Sequence, residues 1–256
     1  MRGRVLVVRL VALLLALSWL VFPGFGLIDL SVTWDPGWDV VLEAGWGLFF
    51  TIFVGTSFVA VAVVPRRAEA ALAQLGCATL ALVVAAALSA DVPALVLTAV
   101  LAVQVALVAR TGLTPLPRPV RWEWDAPLTA VTAVAAPAWL AYGWQMAGAD
   151  RRGVPTDEIT VGVNHYAVQA ATAFALVLVP ALASCWPRGR RFTGTSTALV
   201  AAYLGLIAYA WPGEEGGFGA AWSLAAMTWA LVVAVLTWRP TPRPRVKLAP
   251  APADTS

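Results

Sequence analysis

The chain is built around uninterrupted apolar runs. Several reach about 17–21 residues without a charge, the length needed to cross a bilayer core of roughly 30 Å as a helix. Inside hydrocarbon the backbone N–H and C=O groups have no water to bind, so a spanning segment must be a helix or part of a closed barrel. The alternating strands of a barrel are missing from this sequence. Composition agrees: 60% of residues are apolar and 12% charged, against roughly 25% charged in soluble domains. The mean hydropathy is +0.79. The sequence therefore predicts an all-α fold, a polytopic membrane helix bundle.

Eight transmembrane helices are predicted, at about 5–22, 45–64, 71–90, 94–110, 127–147, 164–184, 195–211 and 219–238. The segments between them test that count. Segments assigned to one side are the N-terminus, "VPRRAEA", "RTGLTPLPRPVRWEWD", "CWPRGRRFTG" and the tail "RPTPRPRVKLAP". They contain fifteen of the seventeen Arg and Lys residues and four of the fourteen acids. The opposite segments contain ten acids and two basic residues, Arg151 and Arg152. Cytoplasmic loops are enriched in Lys and Arg, so both termini are expected in the cytoplasm of a plasma-membrane protein. One helix too many or too few would scramble the alternation.

The N-terminal "MRGRVLVVRLVALLLALSWLVF" has the basic start and apolar run of a signal peptide. "PGFG" follows in place of a small-residue cleavage site, so the run reads as the first span. Residues 1–238 then form a single transmembrane bundle. Residues 239–256 are expected to be a disordered, basic, Pro-rich cytoplasmic tail. Sixteen arginines against one lysine, with abundant alanine, suggest a GC-rich bacterial source.

Tryptophans fall near predicted span ends: Trp19, Trp46, Trp144, Trp211 and Trp222 on the outer side, Trp122, Trp124, Trp186 and Trp238 on the inner. Interfacial anchoring accounts for such a pattern. Trp139 and Trp229 lie deeper and are expected to pack between helices. Cys77 and Cys185 sit on different helices toward the reducing side, with no motif spacing, and are expected to be free thiols. Gln74 and Gln104 read as interhelical hydrogen-bonding groups.

Loop lengths recur along the chain. A long acidic loop, a short basic turn and a tight turn follow the first helix, and a similar series follows the fifth. Both halves start on the same side, which suggests a parallel four-plus-four internal repeat.

Chemistry is tested mostly by absence. The lone lysine, Lys247, lies in the tail, so no phosphate-binding P-loop exists, and no HExxH or paired-cysteine zinc spacing occurs. A single histidine cannot supply a bis-histidine haem. No cofactor is expected. The basic residues are scattered over five segments, so no nucleic-acid-binding domain is formed. No Asp, Glu or Lys falls at mid-depth within the predicted spans, where ion and proton pathways need one.

The one polar concentration surrounds His165. Asp157 and Glu158 precede it, Asn164 is a suitable N-cap, and Tyr166 and Gln169 continue along one side of the sixth helix. On the fifth helix, Tyr142 and Gln145 occupy matching depth. His165, Asp157, Glu158, Tyr142, Gln145, Tyr166 and Gln169 thus form a candidate outward-facing pocket. Polar loops need no function to explain them, and a capped helix start with interfacial polar residues is the plainer alternative.

The leading functional expectation is a non-enzymatic, permease-like or accessory subunit of a membrane assembly, whose partners are the lipid bilayer and another membrane or cytoplasmic subunit. The alternatives are a membrane enzyme with an outward-facing polar or metal site around His165, and a structural or regulatory membrane protein whose tail binds a partner.

Overall fold

The computed structural model describes residues 2–111, 123–156 and 159–240. The expected tail beyond 240 lies outside the described residues. Almost everything described is helical. The order is α1 (Arg2–Leu20), the short α2 (Gly26–Val32), α3 (Val40–Leu48), a π-helical segment (Phe49–Gly55), α4 (Thr56–Val63), a 3₁₀ turn (Pro65–Arg67), α5 (Glu69–Ser89), α6 (Val92–Arg110), α7 (Ala126–Arg151), α8 (His165–Cys185), α9 (Arg190–Ala210) and α10 (Gly219–Trp238). Strands β1 (Ile159–Thr160) and β2 (Val163–Asn164) form a two-residue antiparallel hairpin just before α8.

Among the described residues, seven helices are long and apolar enough to cross a membrane: α1, the continuous α3–α4 rod, α5, α6, α8, α9 and α10. The eighth long helix, α7, has 26 residues but a weaker apolar signal. Gly143, Gln145, Gly148, Asp150 and Arg151 all fall within it. Two differences from the sequence expectation affect the site. The second span begins at Val40 rather than about 45, which takes Glu43 into the helix. The segment expected to be a loop before it contains α2.

Local signals explain the boundaries. Asp91 accepts from the Ala94 N–H at 3.1 Å, and Asp125 from the Leu128 N–H at 3.1 Å, each with a proline in the first helical turn. Asn164 caps α8, accepting from the Tyr166 N–H at 2.9 Å. These side chains satisfy N–H groups that a helix start leaves without partners.

The bundle has a centre and a periphery. In its most apolar stretch, 78% of α8 is buried and 67% of the α3–α4 rod, against 22% for α1, α6 and α10. The two central elements touch each other. Around the rod, Trp19 stacks on Phe50 with centroids 4.8 Å apart, and Trp46 packs on the same ring at 4.9 Å. The peripheral helices expose apolar faces, including Leu14, Val134, Leu231 and Val235. Faces of that kind suit lipid and would be a liability in water.

The π-helical turns free carbonyls from the regular α pattern. Thr56 and Ser57 hydroxyls donate to the Ile52 and Phe53 carbonyls at 2.5 and 2.8 Å. From α5, the Gln74 amide donates to both carbonyls at 3.2 Å and to Ser57 Oγ at 3.1 Å. Gln104 accepts from Trp19 Nε1 at 2.6 Å. Both glutamines therefore bond across helices, as expected of polar groups in an apolar bundle. Cys77 and Cys185 are free thiols.

Candidate functional site

The centre of the site is the contact between the start of α3 and the start of α8. His165 is the first residue of α8 and is 1% exposed, while Glu43 on α3 is 2% exposed. Nδ1 of His165 faces Glu43 Oε1 at 3.4 Å, without hydrogen-bond geometry. Nε2 lies 2.9 Å from the Thr160 hydroxyl on the hairpin. The Trp46 ring covers one face of the imidazole, with centroids 4.5 Å apart and planes 21° from parallel. Nε2 and one ring face are thus committed to the protein, while Nδ1 faces the Glu43 carboxyl without a hydrogen bond.

The polar contact continues down the α3–α8 seam. Gln169 lies against Gly45, and Thr172 donates to the Gly45 carbonyl at 3.1 Å. With Gln169 in this position there is room only for glycine at 45, because a Cβ there would meet Gln169 Oε1. From Gln169 the network turns outward to α7: its amide donates to the Tyr142 hydroxyl at 2.5 Å, and Tyr142 donates to the Gly216 carbonyl at 2.5 Å. Tyr166 donates to Glu215 Oε2 at 2.6 Å. Two hydrogen bonds therefore tie the Glu215–Gly216 turn to the seam.

Of the residues singled out by sequence, His165, Tyr142, Tyr166 and Gln169 are buried; Tyr142 and Gln169 bond each other, Tyr166 bonds Glu215 beside them, and His165 instead meets Thr160, Glu43 and Trp46. Gln145 is exposed and outside this network. Asp157 and Glu158 lie outside the described residues. Around His165 the side chains are packed rather than open. The open space lies beside Tyr142 instead, as a groove of about 600 Å³ between α7 and α10 lined by Trp139, Tyr142, Gln145, Phe218, Trp222 and Trp229.

Sequence reasoning missed Glu43, Trp46, Thr160 and Glu215. Glu43 falls just outside the span predicted from about 45, although the apolar residues on both sides of it in "DVVLEAGWGLFF" are a usable signal. Trp46, expected at the lipid interface, is fully buried against His165. Trp124, Trp144, Trp222 and Trp238 remain exposed at helix ends. Among the described residues, no group of three or more His, Cys, Asp or Glu side chains is placed to hold a metal ion.

A second charged cluster fastens the opposite end of the bundle. Asp125, before α7, pairs with Arg190 of α9 at 2.7 Å and with Arg239, just after α10, at 2.5 Å. Its own N–H donates to the Ser184 carbonyl at 2.8 Å. Burial alone would raise the Asp125 pKa. The hydrogen bonds from Arg239 and the Leu128 N–H and the two guanidinium charges outweigh it, holding the carboxyl below its ordinary value.

The fold and composition are those of a helical membrane protein, with a buried Glu–His contact at the seam of its two central helices. No family model, curated protein or solved structure matches the chain.

Proposed function

We propose that this chain is a multi-pass plasma-membrane protein in which α7 is the eighth span and both termini are cytoplasmic, and that it acts as a permease-like or accessory subunit of a membrane assembly. The charge split between alternate segments supports the orientation. The Glu43–His165 contact carries the functional reading. An ionisable pair inside a spanning bundle is costly and is typically kept for recognition, coupling or a pathway. A catalytic imidazole needs a nitrogen within reach of substrate, whereas both His165 nitrogens face protein groups. That favours a binding or coupling role over the enzyme alternative.

Two experiments test the proposal. Fusions of a cytoplasm-only reporter after Arg67, Arg191 or Lys247 should be active, and fusions after Asp35, Arg152 or Glu214 silent. Activity after Arg152 would remove α7 from the set of spans. For the subunit role, the tagged chain extracted from its native membrane in mild detergent should carry a stoichiometric second polypeptide by native mass spectrometry. A chain recovered only at its own 26.9 kDa would defeat that reading.

A further inference from the structure

The groove between α7 and α10 is unlike the rest of the apolar surface. Its wall is a continuous set of rings: Trp139 lies 6.0 Å from Phe218, 6.0 Å from Trp229 and 6.2 Å from Tyr142, and Tyr142 lies 5.1 Å from Phe218. Trp222, 62% exposed, stands at its edge. Alanines at 135, 138, 141, 225 and 226 supply the remaining floor and leave the volume open. Aromatic faces carry negative quadrupole charge and attract cations that are weakly hydrated.

The electrostatic setting points the same way. Glu214 and Glu215 immediately precede the Gly216–Phe218 turn that borders the groove. The Glu215 carboxyl accepts from Tyr166, next to the Gly216 carbonyl that Tyr142 holds, so it stands close to the groove's Tyr142 wall. A lipid tail would be served by aliphatic walls and needs no acids nearby. An organic cation with an apolar body uses both features, the rings for its body and charge and the acids for attraction toward the mouth.

We propose that the α7–α10 groove is a binding site for a lipophilic organic cation. The ligand enters at the Gln145–Trp222 edge, and its charge rests over the rings of Trp139, Trp222 and Phe218. Occupancy is reported to the central seam through Tyr142, which lines the groove and is hydrogen-bonded to Gln169. The inference concerns the groove alone and does not require the subunit role proposed above.

The test uses two probes of one shape and opposite charge, tetraphenylphosphonium and tetraphenylborate, in equilibrium binding to the full chain purified in a non-ionic maltoside. Saturable binding of the cation, with little binding of the anion, is expected. Trp222→Ala, at an exposed position, should weaken cation binding about tenfold, the scale of one strong cation–π contact. Ala225→Trp should abolish it by filling the groove, and Glu214→Gln should weaken the cation selectively. Equal binding of both probes would overturn the proposal and mark the groove as a lipid-tail cleft. So would cation binding unchanged by both Trp222→Ala and Ala225→Trp, or no saturable binding at all.

Discussion

Gln169 rests its amide oxygen on the bare Cα of Gly45, so closely that a methyl group on position 45 would meet that oxygen. The contact sets how near the two central helices approach. Gly45→Ala must therefore push α8 away or turn Gln169 aside, and should cost about 1–3 kcal/mol, as overpacking does. Gln169→Ala removes the obstacle, at the expense of the bond to Tyr142. The double variant should melt higher than Gly45→Ala alone in detergent. Strict additivity of the two changes would show that the contact is not what limits packing.

The buried Glu43–His165 contact predicts an asymmetry between two substitutions. His165→Ala withdraws the imidazole from a carboxyl group 2% exposed and from the Thr160 hydroxyl, and loss of a buried polar partner costs about 1–3 kcal/mol. Adding Glu43→Gln replaces the acid by a neutral amide and should restore part of the loss. Thermal unfolding of both variants, followed by circular dichroism in detergent, checks this. An unchanged melting temperature for His165→Ala would mean that the pair contributes nothing to folding.

Asp125 predicts a dependence on acid. Its folded pKa lies below the ordinary aspartate value, which is about 3.9. A depressed carboxylate stabilises the folded state above its unfolded pKa, and that contribution fades as pH falls through the folded value. Asp125→Asn should thus be less stable at neutral pH, by about 3–5 kcal/mol, because the buried Arg190 loses its counter-charge. The gap to wild type should be constant down to about pH 4 and narrow below it. Melting curves over that range decide the matter, and a gap that widens in acid would contradict the assignment.

Gln74 predicts a local effect in the second span. Gln74→Leu keeps the bulk but withdraws the donor shared by the Ile52 and Phe53 carbonyls and Ser57. Unpairing buried polar groups costs about 1–3 kcal/mol. The α3–α4 rod should then show faster amide exchange around Phe49–Gly55, while α9 and α10 exchange as before. Uniform loosening of the whole chain would show that Gln74 holds more than this segment.

The length of each apolar run sets which stretches become long helices, because an unpaired backbone is too costly in hydrocarbon and the helix satisfies it within one segment. Local side chains such as Asp91, Asp125 and Asn164 mark where the helices start, since a cap acts over two or three residues. The apolar runs, the Asn164 cap and the polar stripe of Tyr166 and Gln169 are therefore legible in one dimension. What could not be read was which helix each stripe faces. Glu43 and His165 are 122 positions apart, and the pairing exists only because α3 and α8 are both central. Gln145 shares a stripe with Tyr142 by spacing and both line the groove, yet only Tyr142 also reaches the seam network. Asp125 meets Arg190 and Arg239 for a similar reason, as the ends of α7, α9 and α10 converge. Periodicity assigns residues to a face of a helix, and only packing assigns that face a neighbour.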